Sequence, residues 1–239
     1  MEYRYTAIVL KKREVGETDR IYTFFTREAG KIASIAKGVR KSEAKLASAL
    51  ETGSKVEVMV VRTRGMGKIA GAVLEESFTV LRQNFEALRL MLEALSIFDR
   101  LIEPEEKDEV LYELLETYLK TLATLVSTGR DDKLVLSTEA FLFQLCFHLG
   151  YPLQLNVSVV SGERLRAGER YVLSPSQGGV LGMYEAGVSD GLVVHEATIK
   201  LLRLFGQHSP FALSKVAVSG ETLNELSRFR QIFLAWIRR

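Results

Sequence analysis

The side chains of this 239-residue chain best suited to chemistry are cations gathered near its start. Lys11, Lys12, Arg13, Arg20, Lys31, Lys37, Arg40, Lys41, Lys45, Arg62, Arg64 and Lys68 all precede residue 69. Within GKIASIAKGVRKSEAKLASAL (Gly30–Leu50), five cations meet a single acid, Glu43. Ammonium and guanidinium groups at strand ends and loops neutralise phosphates and release counterions, which gives sequence-tolerant, salt-sensitive nucleic-acid binding. The plain alternative is a solvated charged surface. Charge distribution bears on the choice. Residues 1–75 hold 15 Lys and Arg against 9 Asp and Glu, whereas the remainder holds 17 against 21. A net charge of +2 therefore hides a basic front and a mildly acidic body, and polyanion contact is expected in the first third. Tyr3, Tyr5, Tyr22, Phe24 and Phe25 interleave with the cations. Tyr22 and Phe24 share one strand face, Ile21 and Phe25 the other. Half of these aromatics belong to a core, and only the other half can stack on bases.

No catalytic constellation stands beside the cations, so no enzyme activity, cofactor or metal is expected. His148, His195 and His208 are scattered in sequence. His148 and Cys146 share one apolar segment and are expected to be packed there. Glu103, Glu105, Glu106 and Asp108 surround Pro104. They could converge on a metal for a nuclease, or form a solvated turn between helices. Glu75-Glu76 has the same bland reading. Gly65-Met66-Gly67 suits a turn better than a phosphate cradle. One cysteine excludes an internal disulfide and is compatible with a reducing cytoplasm. Glu2 and Arg4 break the pattern of a signal peptide, and Glu139, Gln144 and His148 interrupt the most apolar stretch, Leu134 to Leu155, so no membrane span is expected.

The elements that must position these cations follow from periodicity. Strands are expected over Tyr5–Arg13, Arg20–Thr26, Lys31–Lys37, Lys55–Arg64 and Ile69–Leu74, with turns at Gly16, Ala29-Gly30 and Gly65–Gly67. Five short strands with the longest connection between the third and fourth match an OB-fold barrel, with a generic small β-barrel as the alternative. Ser42–Leu50 is either an open loop or a helix that plugs the barrel with Leu46 and Leu50. From about Phe78 the period becomes helical. Apolar stripes run over Phe85–Phe98 and Leu111–Leu125, ended by Pro104 and Gly129. A third helix from Leu134 to Phe147, started by Asp131 and Asp132, is apolar almost all round and so central. Glycine-rich residues 153–192 are irregular, with a β segment at Tyr171–Leu173. Helical periodicity returns at Val193–Phe205 and Glu221–Ile237. The expected class is α+β: a five-stranded OB-fold barrel over 1–78, then a helical domain over 79–239 with a small insert at about 153–192.

Three runs resemble the bacterial RecO family of recombinational DNA-repair proteins. They are the G-E-x-D-R-I-like turn at Gly16–Ile21, the strand ending Phe24–Thr26, and G-K-I-x-x-I-A-K-G-x-R at Gly30–Arg40. FLFQLCFHLGYPLQL also resembles the family's helix leading into Leu-Gly-Tyr-x-Pro. The resemblance covers nearly the whole chain. It implies a non-enzymatic, cytoplasmic and nucleoid-associated mediator that binds single- and double-stranded DNA and anneals strands. It also implies RecR and the single-stranded-DNA-binding protein as partners, and RecA indirectly. An RNA-binding OB module is a further reading of the same cations. Many family members carry two C-x-x-C pairs in the insert, a four-thiolate zinc site. The corresponding positions here are Ser158, Ser161, Gly182 and Glu185, so a zinc-less insert is expected.

Overall fold

The computed structural model describes residues 1–38, 45–62, 65–185, 187 and 190–238, without the side chains of Lys45 and Ala47. Among these residues no helix is long and apolar enough to cross a membrane. The chain divides into two compact units, Met1–Leu134 and Val135–Arg239.

Alternation builds the first unit. β1 (Glu2–Val15), β2 (Asp19–Thr26), β3 (Gly30–Ala36), β4 (Lys55–Val61) and β5 (Gly67–Glu76) close a barrel in the order β1-β2-β3-β5-β4. Every second residue turns inward: Tyr5, Ala7 and Val9, then Tyr22 and Phe24, Ile32 and Ala36, Val56, Val58 and Val60, and Ile69. β3 and β5 pair in parallel, Ser34 with Gly67 and Ile35 with Lys68. The other neighbours are antiparallel. Helix α1 (Lys45–Ala49) lies in the longest connection and plugs the core with buried Leu50 and half-buried Leu46. This is the expected OB-like barrel of an α+β fold. Gly30 turns β2 into β3 with φ +64°. A Cβ there would lie 1.9 Å from the Glu106 carbonyl oxygen, so only glycine lets the 103–108 turn approach.

The helices that follow cover one barrel wall. α2 (Thr79–Gln83) precedes α3 (Phe85–Leu101) and α4 (Glu109–Ser127). Asn84 caps α3 by accepting from Ala87 N, and Asp108 caps α4 by accepting from Leu111 N. Phe25, on the outer face of β2, packs edge-on against Phe98 at 4.8 Å and near Tyr112 at 6.4 Å. Charges sit around this contact. Lys55 bridges Glu75 and Glu116, each at 3.0 Å. The Arg27 guanidinium lies 4.9 Å from the centre of the Tyr112 ring. α2–α4 thus belong to the barrel's compact unit.

In the second unit, α5 (Leu134–His148) is buried nearly all round. Phe143 stacks with Phe229 and Phe233, both at 6.1 Å. Those rings come from α8 (Gly220–Ile237), which Ser219 caps. Glu139, buried on α5, accepts from Ser227 at 2.7 Å and from Arg230 at 3.0 and 3.1 Å. A three-stranded sheet runs β7-β6-β8, from β6 (Arg170–Ser174), β7 (Gly179–Gly182) and β8 (Leu192–His195). α6 (Glu196–Phe205) and the short α7 (Pro210–Leu213) complete it.

Three expectations change. The helix expected from Val193 starts at Glu196, because Val193 and Val194 pair with Val172 and Tyr171 in the sheet. The run expected to start the third helix at Asp131 and Asp132 is a 3-10 turn, Asp131–Lys133, directly before α5, and the Asp131 carboxylate accepts from Asn84 at 2.6 Å. His148 is exposed, since the last turn of α5 leaves the core. Cys146 is packed as expected, and burial pushes its thiol pKa up to about 12.

Glu116 links the barrel to α4 and gives stability a pH signature. Burial would raise its pKa, but hydrogen bonds from Lys120 and Lys55 outweigh it and hold the carboxyl below its usual range. A depressed folded-state pKa adds stability above the unfolded value, about 4.3, and loses it as pH falls through the folded value. Glu116→Gln should cost about 1–3 kcal/mol at pH 7 and make the acid decline shallower. Denaturant unfolding at pH 7 and pH 3 measures both.

Candidate nucleic-acid interface

The structure sorts the twelve candidate cations by their partners. Lys11 reaches Asp99 Oδ2 at 2.6 Å. Lys31 donates to the Asp99 carbonyl at 2.8 Å and is largely covered. Lys12 pairs with Glu51 at 2.7 Å, Arg20 with Glu14 at 3.2 Å, and Arg62 with Glu105 at 2.9 Å. Arg13, Lys37 and Lys68 are exposed and form no ion pair with a described residue. Arg40, Lys41 and Arg64 lie outside the described residues, as does the side chain of Lys45.

The unpaired lysines converge through the sheet. Lys37 directly follows β3, whose Ile35 is the parallel partner of Lys68 at the start of β5. On the other side of β3, Arg20 pairs with Ala36, which brings Asp19 beside Lys37. The Gly38 backbone N–H, the Thr18 hydroxyl and the charges of Lys37 and Lys68 hold the Asp19 carboxyl below its usual range. Arg13 faces Ile21 farther along the β1–β2 hairpin. Lys31 sits at the opposite end of β3 from Lys37, where α3 neutralises it. Distance along one strand therefore separates a cation that holds helices from one open to a ligand.

The aromatics are mostly unavailable for stacking. Tyr22 and Phe24 fill the barrel, and Phe25 on the opposite face is buried against α3 and α4. The half expected to supply a platform is thus covered by helices that the strand pattern cannot reveal. Of the five rings considered, Tyr3 alone is exposed, stacked on Tyr5 at 6.0 Å.

Sequence reasoning missed Arg27 and Lys55, whose roles emerge only against Tyr112, Glu75 and Glu116. It also left Asp19 unassigned, although that residue stands in the Gly16–Ile21 turn motif.

The carboxylates around Pro104 do not converge. Glu105 pairs with Arg62, Asp108 caps α4, and the Glu106 carbonyl meets Gly30. Among the described residues, one group of His, Cys or acidic side chains brings three donor atoms within 4.8 Å: His195, Glu221 and Glu225. Its hydrogen bonds read as a fastening. Glu225 accepts from the His195 backbone N–H at 3.0 Å and from the Thr198 hydroxyl, and its other oxygen lies 2.7 Å from His195 Nδ1.

The insert brings its four distant positions together. The Ser158 hydroxyl donates to Glu185 Oε2 at 2.5 Å, and the Gly182 N–H donates to the same oxygen at 2.7 Å. The Ser161 backbone N–H lies 3.3 Å from Ser158 Oγ. Two hydroxyls, one glycine and one engaged carboxylate do not fit a tetrahedral thiolate zinc site.

Comparison with known proteins agrees along the chain. A family model described as "Recombination protein O N terminal" matches residues 1–78, and one described as "Recombination protein O C terminal" matches residues 82–236. Relatives named DNA repair protein RecO occur in several bacteria. The protein from Dehalococcoides mccartyi is 27% identical over 94% of this chain and 86% of its own length. That from Thermoanaerobacter is 27% identical over 93% and 87%. That from Heliobacterium modesticaldum is 29% identical over 94% and 81%.

The split between paired and unpaired cations has a measurable consequence for stability. Lys31→Ala should lower stability by about 1 kcal/mol through loss of its Asp99 contact, while Lys37→Ala should stay within about 0.5 kcal/mol of wild type. Urea unfolding of the two variants checks the contrast.

Proposed function

The chain belongs to the recombination protein O (RecO) family, and from that premise we propose that it is a DNA-binding mediator that anneals strands during recombinational repair of damaged DNA. The observation that carries this reading is the exposed set of Arg13, Lys37 and Lys68 on the OB-like barrel, left without ion pairs among the described residues. The remaining candidates Arg40, Lys41, Lys45 and Arg64 add to that set by sequence, while Lys11, Lys12, Arg20, Lys31 and Arg62 contribute less because acids already hold them. Residues 1–78 then act as the DNA module, and 79–239 as a helical domain. Annealing needs no bond made or broken. Cations that bind two strands at once lower the repulsion between their phosphates, so the protein acts without a catalytic group.

In this reading the chain works in the cytoplasm at the nucleoid. RecR joins it to help load RecA, and the single-stranded-DNA-binding protein is a further partner. The insert holds together without zinc, because Glu185 ties Ser158 to Gly182 at positions that correspond to the thiolates of many family members.

Annealing and anisotropy assays over a salt series test the DNA reading, with single-stranded DNA, duplex DNA and RNA of equal length. The triple variant Arg13→Ala/Lys37→Ala/Lys68→Ala should bind single-stranded DNA on the order of tenfold more weakly and lose about 2 from its salt slope, near 0.7 per lost phosphate contact. Wild-type affinity in that variant rejects the site, strand cleavage with Mg²⁺ rejects the mediator role, and an RNA preference points to the RNA-binding alternative. For the insert, a chelator should leave the melting temperature unchanged while Glu185→Ala lowers it. Stoichiometric zinc in the purified protein would overturn that part.

A further inference from the structure

A carboxylate stands among cations that are meant for phosphates. Asp19 lies close enough to Lys37 and Lys68 to feel both charges. On charge alone it should weaken DNA binding. Its hydrogen bonds give it another role. Asp19 Oδ1 accepts from the Gly38 backbone N–H at 2.8 Å and from the Thr18 hydroxyl at 3.1 Å. Asp19 opens β2, and Gly38 lies two residues beyond the end of β3 with φ +65°. The last rung of that ladder is Arg20 with Ala36. Lys37 therefore sits between a paired residue, Ala36, and a tethered one, Gly38. Lys68 is held on the other side of β3 by its pairing with Ile35. The backbone of both lysines is fastened to the same strand end.

We infer that Asp19 is a positioning residue for DNA binding, whose bond to the Gly38 N–H holds Lys37 beside Lys68 as a preset pair of phosphate ligands. The inference rests on the DNA reading above. A lysine whose backbone is already fixed loses less freedom on binding, and that saving adds to affinity. Two effects of opposite sign then act at one side chain: its charge repels phosphate, and its hydrogen bond prepares the site.

Three substitutions separate the two effects in the full-length chain, read by anisotropy of labelled single-stranded DNA across a salt series. Asp19→Asn keeps an oxygen acceptor for Gly38 and removes the charge, so it should bind about twofold more tightly than wild type with an undiminished salt slope. Asp19→Ala removes charge and acceptor together. It should bind about threefold more weakly, with a slope shallower by about 0.7. Asp19→Glu keeps the charge and displaces the acceptor by one methylene, and should weaken binding as Asp19→Ala does. If Asp19→Ala binds as tightly as Asp19→Asn, the carboxylate acts through charge alone and the inference is overturned. Circular dichroism reports whether Asp19→Ala folds. If it does not, Asp19→Glu decides, and wild-type binding by that variant overturns the inference. The variant Lys37→Ala/Lys68→Ala tests the underlying reading separately. An unchanged affinity and slope there remove the DNA site itself, whatever Asp19 does.

Discussion

β2 is buried on both faces, and the first compact unit depends on that burial. Tyr22 and Phe24 point into the barrel, while Phe25 points out of it against Phe98 and Tyr112. Removing such rings from water is a large apolar gain, and it requires α3 and α4 to cover this wall and no other. The charges follow from that choice. Arg27, Lys31 and Lys55 lie where the helices land and meet Glu113 and Glu116, Asp99, and Glu75 and Glu116. A cation that loses water at such a contact needs an anion or a hydrogen bond in exchange. Acids of α3 and α4, with Glu75 of β5, supply them.

Net charge is therefore a poor guide to which cations of this barrel are exposed and unpaired among the described residues. Among the described residues, some of its cations meet acids of helices, strands and turns, and Arg13, Lys37 and Lys68 form no ion pair. Position along a strand decides the group: Lys31 and Lys37 differ in fate because they stand at opposite ends of β3. A short carboxylate set among cations can hold a backbone N–H in place. Asp19 and Gly38 show the geometry on the surface, and Glu185 with Gly182 repeats it in the insert.

Hydrogen bonds to one carboxylate tie parts of the insert together. Two pairs of positions remote from each other in sequence, Ser158 with Ser161 and Gly182 with Glu185, meet around Glu185 Oε2 and Ser158 Oγ. The carboxylate of Glu185 accepts from a hydroxyl and a backbone N–H, and these bonds hold its pKa below the usual range. Charge-assisted hydrogen bonds of this kind are the strong members of their class.

Much of this architecture was legible in the residues. Alternation over Val56, Val58 and Val60 and turns at Gly16 and Gly30 determine five strands, and 3.6-residue periodicity determines the helices over 85–101, 109–127 and 220–237. Those signals are local, set by which side of a strand or helix each residue occupies. The basic front half and the family motifs are equally plain in one dimension. Tertiary structure alone decided that Phe25 is covered, that Lys55 is clamped, that His148 is exposed, and that Val193 joins a sheet. It also decided which of the described cations meet acids and that Asp19 binds the Gly38 N–H. Each of these depends on a partner far away in sequence, such as Tyr112 for Phe25, Glu116 for Lys55 and Gly38 for Asp19. A pairing between distant residues leaves no periodic trace in either segment, so it becomes visible only when the chain closes on itself.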